Sequence, residues 1–411
     1  MRLFFALVAA GLALAAALGA VSSWDGGYFL FKLLDDQAPF VVHARLFVVP
    51  VHTPTILASY VTDDIGLLRT VLGLSYASLT FLALAASWWI ARANNARSLF
   101  VWAVLGIALG MLPGQFSLTT EAIVACNLFW PVLIALLTGP RGLQVPVVGA
   151  LAIFILFTHP FAVGLFAFAA AVCCVVGLRF RGGSHRIWLW ACFFGALAAL
   201  AVLRFASVQS GYEAEQLNLD TLSRQFTNAI AGLPLVALLL GFVAAVIVLL
   251  APRIKGRGSR TLTLTLYVLE LLCLLGAGVA LLLWAANPYL WRTAISFRSW
   301  ALIIAGGFML LAVGDALLRP PGDTRGYNLD WLHRSRAAHL IALFFLLVLG
   351  TQSLVWSSLE GRLQSAVAGS GTACLPATSL PWLGRTPLNH WSVTARSLLL
   401  QGRRPSSVVM L

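Results

Sequence analysis

The chain has 411 residues, of which 60% are hydrophobic and only 10% charged; its mean hydropathy is +0.91 and its formal net charge +13. A soluble domain is about 25% charged, so the composition excludes an ordinary soluble fold and points to a chain that sits mostly in lipid. The six cysteines show no disulfide framework and no C-x-x-C spacing of the kind that binds zinc.

Apolar runs of about 20 residues, long enough to cross a hydrocarbon core roughly 30 Å thick, recur from end to end. The first, Leu3–Ser22, follows one Arg and has small residues near Ala20. It looks like a signal peptide, but its apolar core is long for one, and it reads as the first span. Gly66–Ile90 ends in Trp88–Trp89, an interfacial aromatic pair. Leu99–Leu112 stops at Pro113–Gly114, and the next run goes from Glu121 to Leu137. Proline lacks a helix donor and clashes with the preceding turn, so Thr158–His159–Pro160 divides the following stretch into Val147–Thr158 and Phe161–Leu178. Ile187–Phe205, Ala229–Leu250, Leu262–Ala286, Ser299–Leu318 and Ala337–Trp356 follow. The expected fold is an all-α integral membrane protein with about 11 transmembrane helices. Residues 1–356 form the polytopic domain, which includes a first outer loop (23–65) lying at the interface, and residues 357–411 form a small extracytoplasmic tail. No internal repeat supports an inverted-repeat transporter architecture.

The positive charge follows the same plan. Arg2, Arg92, Arg97, Arg141, Arg179, Arg181, Arg186, Arg253, Lys255, Arg257, Arg260, Arg319, Arg325, Arg334 and Arg336 all fall at ends that are cytoplasmic if the N-terminus is cytoplasmic. That is the positive-inside bias. It puts the C-terminus outside and makes membrane lipids, not nucleic acid, the partners, because the basic residues sit in short turns rather than on one surface. Lys32, Arg45, Arg69, Arg204, Arg224, Arg292 and Arg298 break the bias and need another reason to be outside.

The first outer loop holds five of the fourteen acidic residues: Asp25, Asp35, Asp36, Asp63 and Asp64. Asp25 follows the first span directly, in the context Trp-Asp-Gly-Gly-Tyr. A carboxylate there is placed for general-base work, and two glycines let the chain turn sharply and leave room beside it; the other reading is a solvated boundary acid. Tyr28–Leu34 reads as a helix along the interface, ended by Asp35–Asp36. Asp63–Asp64 precede the second span, where acids also serve simply as helix caps. Arg292 and Arg298 bracket a short aromatic loop. Guanidinium groups there suit phosphate, or they snorkel to ordinary headgroups. Glu270 sits inside an apolar run, where a carboxylate faces a partner or a cavity. His159 sits at the helix break, and Glu121 begins a helix, where its charge is favourable in any case. A divalent metal on these acids would need oxygen ligands converging in space, which spacing alone does not show, and no cofactor motif is legible.

A first span followed at once by an acid and a long, half-apolar outer loop, WDGGYFLFKLLDDQAPF, with acids again at the loop's end, resembles the GT-C superfamily of membrane glycosyltransferases. The resemblance implies transfer of a sugar from a polyprenyl-phosphate donor to a lipid or glycan acceptor on the outer face of a plasma membrane, of the bacterial inner-membrane kind. It implies Asp25 as base, with Asp63 and Asp64 as further acids. Arg45, Arg292, Arg298 and His159 would lie on the donor phosphate, and Tyr28, Glu121 and Glu270 would line the substrate cavity. The chain departs from many such relatives in lacking a large C-terminal globular domain. Two other classes fit the composition: a transporter or lipid flippase using Glu270, His159 and Asp315, and a scaffold of the cell envelope. The position of the polar cavity separates the first two. A cavity at the outer interface beside Asp25 favours the transferase, and one through the midplane beside Glu270 favours transport.

Overall fold

The computed structural model describes all residues except 24, 42–43, 112–113, 180–184, 209–219, 221–222, 224–234, 238, 245, 248–259, 319–323, 371–373, 387–392, 402–407 and 411. The chain is mostly helical, and among the described residues five helices are long and apolar enough to cross a membrane. α1 (Arg2–Ala17) leads through a short turn to α2 (Asp25–Asp36) and α3 (Val48–Ser59). α4 (Ile65–Ala93), α5 (Arg97–Gly110), the single turn α6 (Gln115–Leu118) and α7 (Glu121–Thr138) follow. α8 (Gln144–Leu156) and α9 (Ala162–Arg179) flank the expected proline break, and α10 (His185–Val208) returns along α9. At 13 residues α8 is about 20 Å long, short for a crossing. Beyond it lie an apolar helical stretch Leu235–Ala244 and helices Arg260–Ala286, Ala294–Leu317 and Thr324–Ala368.

The hydrophobic pattern sorts these helices into layers. Ala122–Leu136 of α7 and Ser98–Gly110 of α5 are buried without interruption. A helix that is apolar all round belongs in the interior, and α4, the helix Ala294–Leu317 and the 45-residue helix pack around these two. Outer helices show two faces instead. On Arg260–Ala286, Leu264, Val268, Leu271, Leu275, Val279 and Leu283 form an exposed apolar stripe, while Glu270, Cys273, Ala277 and Trp284 turn inward. A contiguous exposed apolar face of this kind is rare in a soluble monomer and is compatible with a membrane location.

Polar contacts collect at the two ends of the bundle. At one end Asn94 donates to Thr138 (2.7 Å) and Gln144 (3.1 Å), tying the ends of α4 and α7 to the start of α8. At the other end lie the first loop, the turn between α8 and α9, and the tail. There Arg204, near the end of α10, donates to the carbonyls of Leu156 and Ala44, and Phe47 N–H donates to the carbonyl of Phe157. The loop is thus strapped to the bundle rather than left in solvent.

Two elements differ from the sequence expectation. The helix expected over Ala337–Trp356 runs from Thr324 to Ala368. At about 1.5 Å per residue it is roughly 68 Å long, far more than a hydrocarbon core, and it crosses the expected domain boundary at residue 356. The tail then adds the chain's departure from all-α structure, two parallel strands pairing Cys374–Pro376 with Val408–Met410. A second apolar core holds this end together. Trp284, Trp291, Trp356 and Phe116 meet Leu359, Leu363 and Val367 of the long helix and Leu383, Val393 and Val409 of the tail. Trp291 and Trp356 stack at 6.4 Å.

Candidate functional site

The α1–α2 elbow is built by glycines under close constraint. Gly19 has φ +79°, a left-handed conformation that suits glycine, and a Cβ there would fall 2.7 Å from the Arg69 guanidinium carbon. A turn over Ala20–Ser22 follows; Ser23 closes it by donating to the carbonyl of Ala20, and Ser22 Oγ lies 2.6 Å from the carbonyl oxygen of Gly19. Asp25 then heads α2, half-buried. A Cβ on Gly26 would meet the Val21 carbonyl oxygen at 1.7 Å, and one on Gly27 would meet Arg396 nitrogens at 3.1 Å. The open space expected beside Asp25 is therefore not there at the glycines: backbone and a guanidinium from the tail fill it.

That guanidinium belongs to a buried charge cluster. Glu360, on the long helix, accepts from Ser22 Oγ (2.7 Å) and pairs with Arg69 of α4 at 2.7 Å. Arg396, on the short tail helix Val393–Leu399, lies 3.9 Å from Glu360 and donates from Nη2 to the Ser22 carbonyl at 2.6 Å. Its guanidinium stacks over Trp356, whose Nε1 donates to Ser22 Oγ at 3.3 Å. Burial pulls the Arg396 pKa down to about 10, while the negative charges of Glu360 and then Asp25 oppose that fall, so it stays charged at neutral pH. The elbow, α4, the long helix and the tail thus converge on one carboxylate. Beside it, between the head of α2, the start of α4 and the tail, opens a cavity of about 220 Å³.

The other sequence-predicted residues fall in several places. Arg45 and Glu121 pair with each other at 2.7 Å, both largely buried, so each has a protein partner. Asp64 caps α4, with Oδ1 accepting from Gly66 N (2.8 Å) and Leu67 N (3.2 Å), and Asp63 sits exposed in the same turn. Tyr28 packs edge-on against Phe40. Lys32 pairs with Asp35 and Asp36, one turn along α2, at the end of the helix. His159 lies at the expected break, where Nδ1 accepts from Phe161 N at 3.1 Å. Glu270 is buried in Arg260–Ala286, and Asp315 accepts from Trp102 Nε1 at 2.9 Å. Arg292 lies in the turn Pro288–Thr293 and Arg298 in the helix Ala294–Leu317, but their side chains fall outside the described set, and Arg224 lies outside the described residues. Among the described residues, no three His, Cys, Asp or Glu side chains come together in a way that could hold a metal ion.

Sequence reasoning missed Ser22, Trp356, Glu360 and Arg396. Two signals were present. Arg69 already stood out against the charge bias, and Glu360 is the sole acidic residue beyond residue 356, in a segment with five arginines.

Under the loop, His52 of α3 is fully buried, with Nε2 3.0 Å from the Tyr76 hydroxyl. Burial lowers its pKa from 6.5 to about 4. The stability this neutral imidazole permits is full above about pH 6.5, where the unfolded chain is also neutral. It falls as the pH drops toward 4, because the unfolded state then binds the extra proton. Between pH 6.5 and 5 the loss is about 1.6 kcal/mol, a little under the full 1.36 kcal/mol per unit because the unfolded imidazole is half-protonated at pH 6.5. The thermal midpoint of the detergent-purified chain should drop over that range, and His52→Gln should flatten the dependence; an equal drop in both proteins would remove His52 as its source.

No family model matches the chain, and searches of curated proteins and of solved structures return no match to it.

Proposed function

We propose that the chain is a polytopic membrane glycosyltransferase that moves a sugar from a polyprenyl-phosphate donor to a lipid or glycan acceptor at the outer face of a plasma membrane. The observation that carries this reading is the position of the cavity: it lies at the loop end of the bundle, lined by Gly27, Arg69 and Arg396, two residues along α2 from Asp25. A donor with a long lipid tail needs an enzyme set in the bilayer whose reacting centre lies at the interface, and a charged cavity under an interfacial loop suits that need. In this reading Asp25 takes the acceptor's hydroxyl proton as the acceptor oxygen attacks the sugar's anomeric carbon, and the lipid phosphate leaves with the bonding electron pair. In this reading the helices, with Leu235–Ala244 counted as part of a crossing, alternate as eleven spans, and the charge bias of the sequence sets the N-terminus inside and the tail outside.

The test is the lipid-linked-sugar profile of a strain lacking the protein. A sugar-loaded polyprenyl phosphate should accumulate and one glycan or lipid modification should disappear. A profile identical to that of the parent strain would sink the transferase reading.

A further inference from the structure

We infer that a groove between α1 and the long helix, at the end of the bundle away from the first loop, seats the acyl chains of an anionic glycerophospholipid. The site is separate from the elbow and does not rest on the transferase reading. The groove measures about 350 Å³. Phe4, Val8 and Ala342 line it and are buried, so they form its floor. Leu3 and Leu7 on α1 and Leu340 and Leu343 on the long helix line it and are exposed, so they form its rims. On both helices the lining residues recur at three- and four-residue spacing. Each helix therefore turns one apolar stripe toward the groove.

Contacts along the two helices fix the groove's shape. At its closed end they touch: a Cβ on Gly11 would fall 2.5 Å from Leu346 Cδ2. Farther along, Ser22 and Glu360 join the same two arms of the chain at 2.7 Å. Toward the mouth the Phe4 ring packs on His339, with 5.1 Å between ring centroids, and on Phe100 of α5 at 6.0 Å. Phe4 thus acts as a spacer, and α1 cannot slide onto the long helix to close the space. A gap between apolar walls forfeits dispersion contacts along its lining, so in a bilayer hydrocarbon fills it.

Size decides between a lipid chain and a partner helix. From Phe4 to Gly11 the groove runs about two helical turns, roughly 11 Å. A helix about 10 Å across takes roughly 850 Å³ over that length, more than twice the groove. A hydrocarbon chain about 4 Å across, the contact distance of carbon atoms, takes roughly 140 Å³, so the two chains of one phospholipid fit. Between apolar surfaces in lipid there is no hydrophobic attraction. What favours a chain here over the open bilayer is a floor and two rims touched at once, together with charge at the mouth. Arg2 is exposed there on α1, and the long helix carries Arg336 one turn before His339. α1 has no acidic residue, and the long helix has none between Asp330 and Glu360. Basic residues at a membrane surface attract anionic headgroups.

The experiment places the full chain in nanodiscs containing a trace of phosphatidylglycerol with a diazirine midway along one acyl chain. After illumination, mass spectrometry maps the labelled residues. Label should concentrate on Leu7 and Leu343 over Leu271 and Leu283, which are at least as exposed but lie on the convex stripe of Arg260–Ala286. Phosphatidylcholine with the same diazirine should label the groove about fivefold less or weaker still, the effect of one basic residue near the surface. Arg2→Gln should lower phosphatidylglycerol labelling in the groove by about fivefold and leave phosphatidylcholine labelling unchanged. Leu343→Trp, a change at an exposed rim, should fill the groove and remove the label from α1. Label on Leu271 and Leu283 should persist and so report an intact fold. Leu7→Trp should do the same to the label on the long helix. Even labelling of groove and stripe, or groove labelling that survives both Trp variants, overturns the site. Equal labelling by the two lipids overturns the anionic assignment. A photo-reactive amino acid in place of Leu340 should capture lipid, and capture of a second polypeptide there overturns the proposal in favour of a partner helix.

Discussion

Asp25→Asn should leave the chain inserted and folded and lower sugar transfer by roughly 10²–10⁴-fold, the usual contribution of a positioned general base. The residue's place is fixed from both sides. The Ala20–Ser22 turn ties it to α1, and Gly26 and Gly27 pack so closely against Val21 and Arg396 that the head of α2 cannot drift. Asn keeps the shape and hydrogen bonding of Asp but cannot take a proton. Asp25→Glu should also retain little activity, because a lengthened side chain on a fixed backbone moves the carboxylate off its target. Asp64→Asn is the contrasting control. Its Oδ1 caps α4, and Asn caps about as well as Asp, so transfer and stability should both stay near normal. Transfer at the normal rate in Asp25→Asn, measured with a polyprenyl-phosphate sugar donor, would remove the base from the mechanism.

The sequence made some of this arrangement readable and hid the rest for identifiable reasons. Periodicity and punctuation located the helices wherever one force dominated. Pro160 ends the α8 run, and Asp35–Asp36 end the helix α2. Hydropathy alone cuts the long helix short at both ends. Past Trp356 the chain becomes polar, yet Trp356, Leu359, Leu363 and Val367 repeat every three to four residues and are all buried. That spacing is the mark of a helix with one apolar face. Arg45 and Glu121 were both picked out, but as a phosphate ligand and a cavity wall. They lie 76 residues apart in the chain, and only folding shows that they pair with each other. The charge cluster was harder still. Its members, Ser22, Arg69, Trp356, Glu360 and Arg396, come from four separate segments, and only Trp356 and Glu360, one turn apart on the long helix, are linked by local spacing.

The tail itself supplies the second large expected effect. Arg396→Ala should destabilise the loop end of the molecule by about 2–4 kcal/mol. A hydrogen bond from a charged donor contributes roughly 1.5–3 kcal/mol, and Arg396 makes one to the Ser22 carbonyl at 2.6 Å while 1% exposed. Its stacking over Trp356 adds about 0.5–1 kcal/mol or more. Glu360 keeps Arg69 and Ser22, so the loss stops short of stranding a buried carboxylate. The damage should be local. The bundle core is built on α5 and α7, whereas the tail helix Val393–Leu399 touches α2 and the long helix and depends on Arg396 for its polar link to the elbow. Amide exchange should therefore speed up in the tail and in α2 while α5 and α7 stay protected. Arg396→Lys should recover part of this, since an ammonium can reach the carbonyl but lacks the planar face that lies on Trp356. Because the same side chain fills the space beside Gly27, its loss should also loosen the head of α2, and transfer should fall although Asp25 is intact. Exchange in α2 that is unchanged by Arg396→Ala would show that the tail merely rests on the elbow and does not hold it.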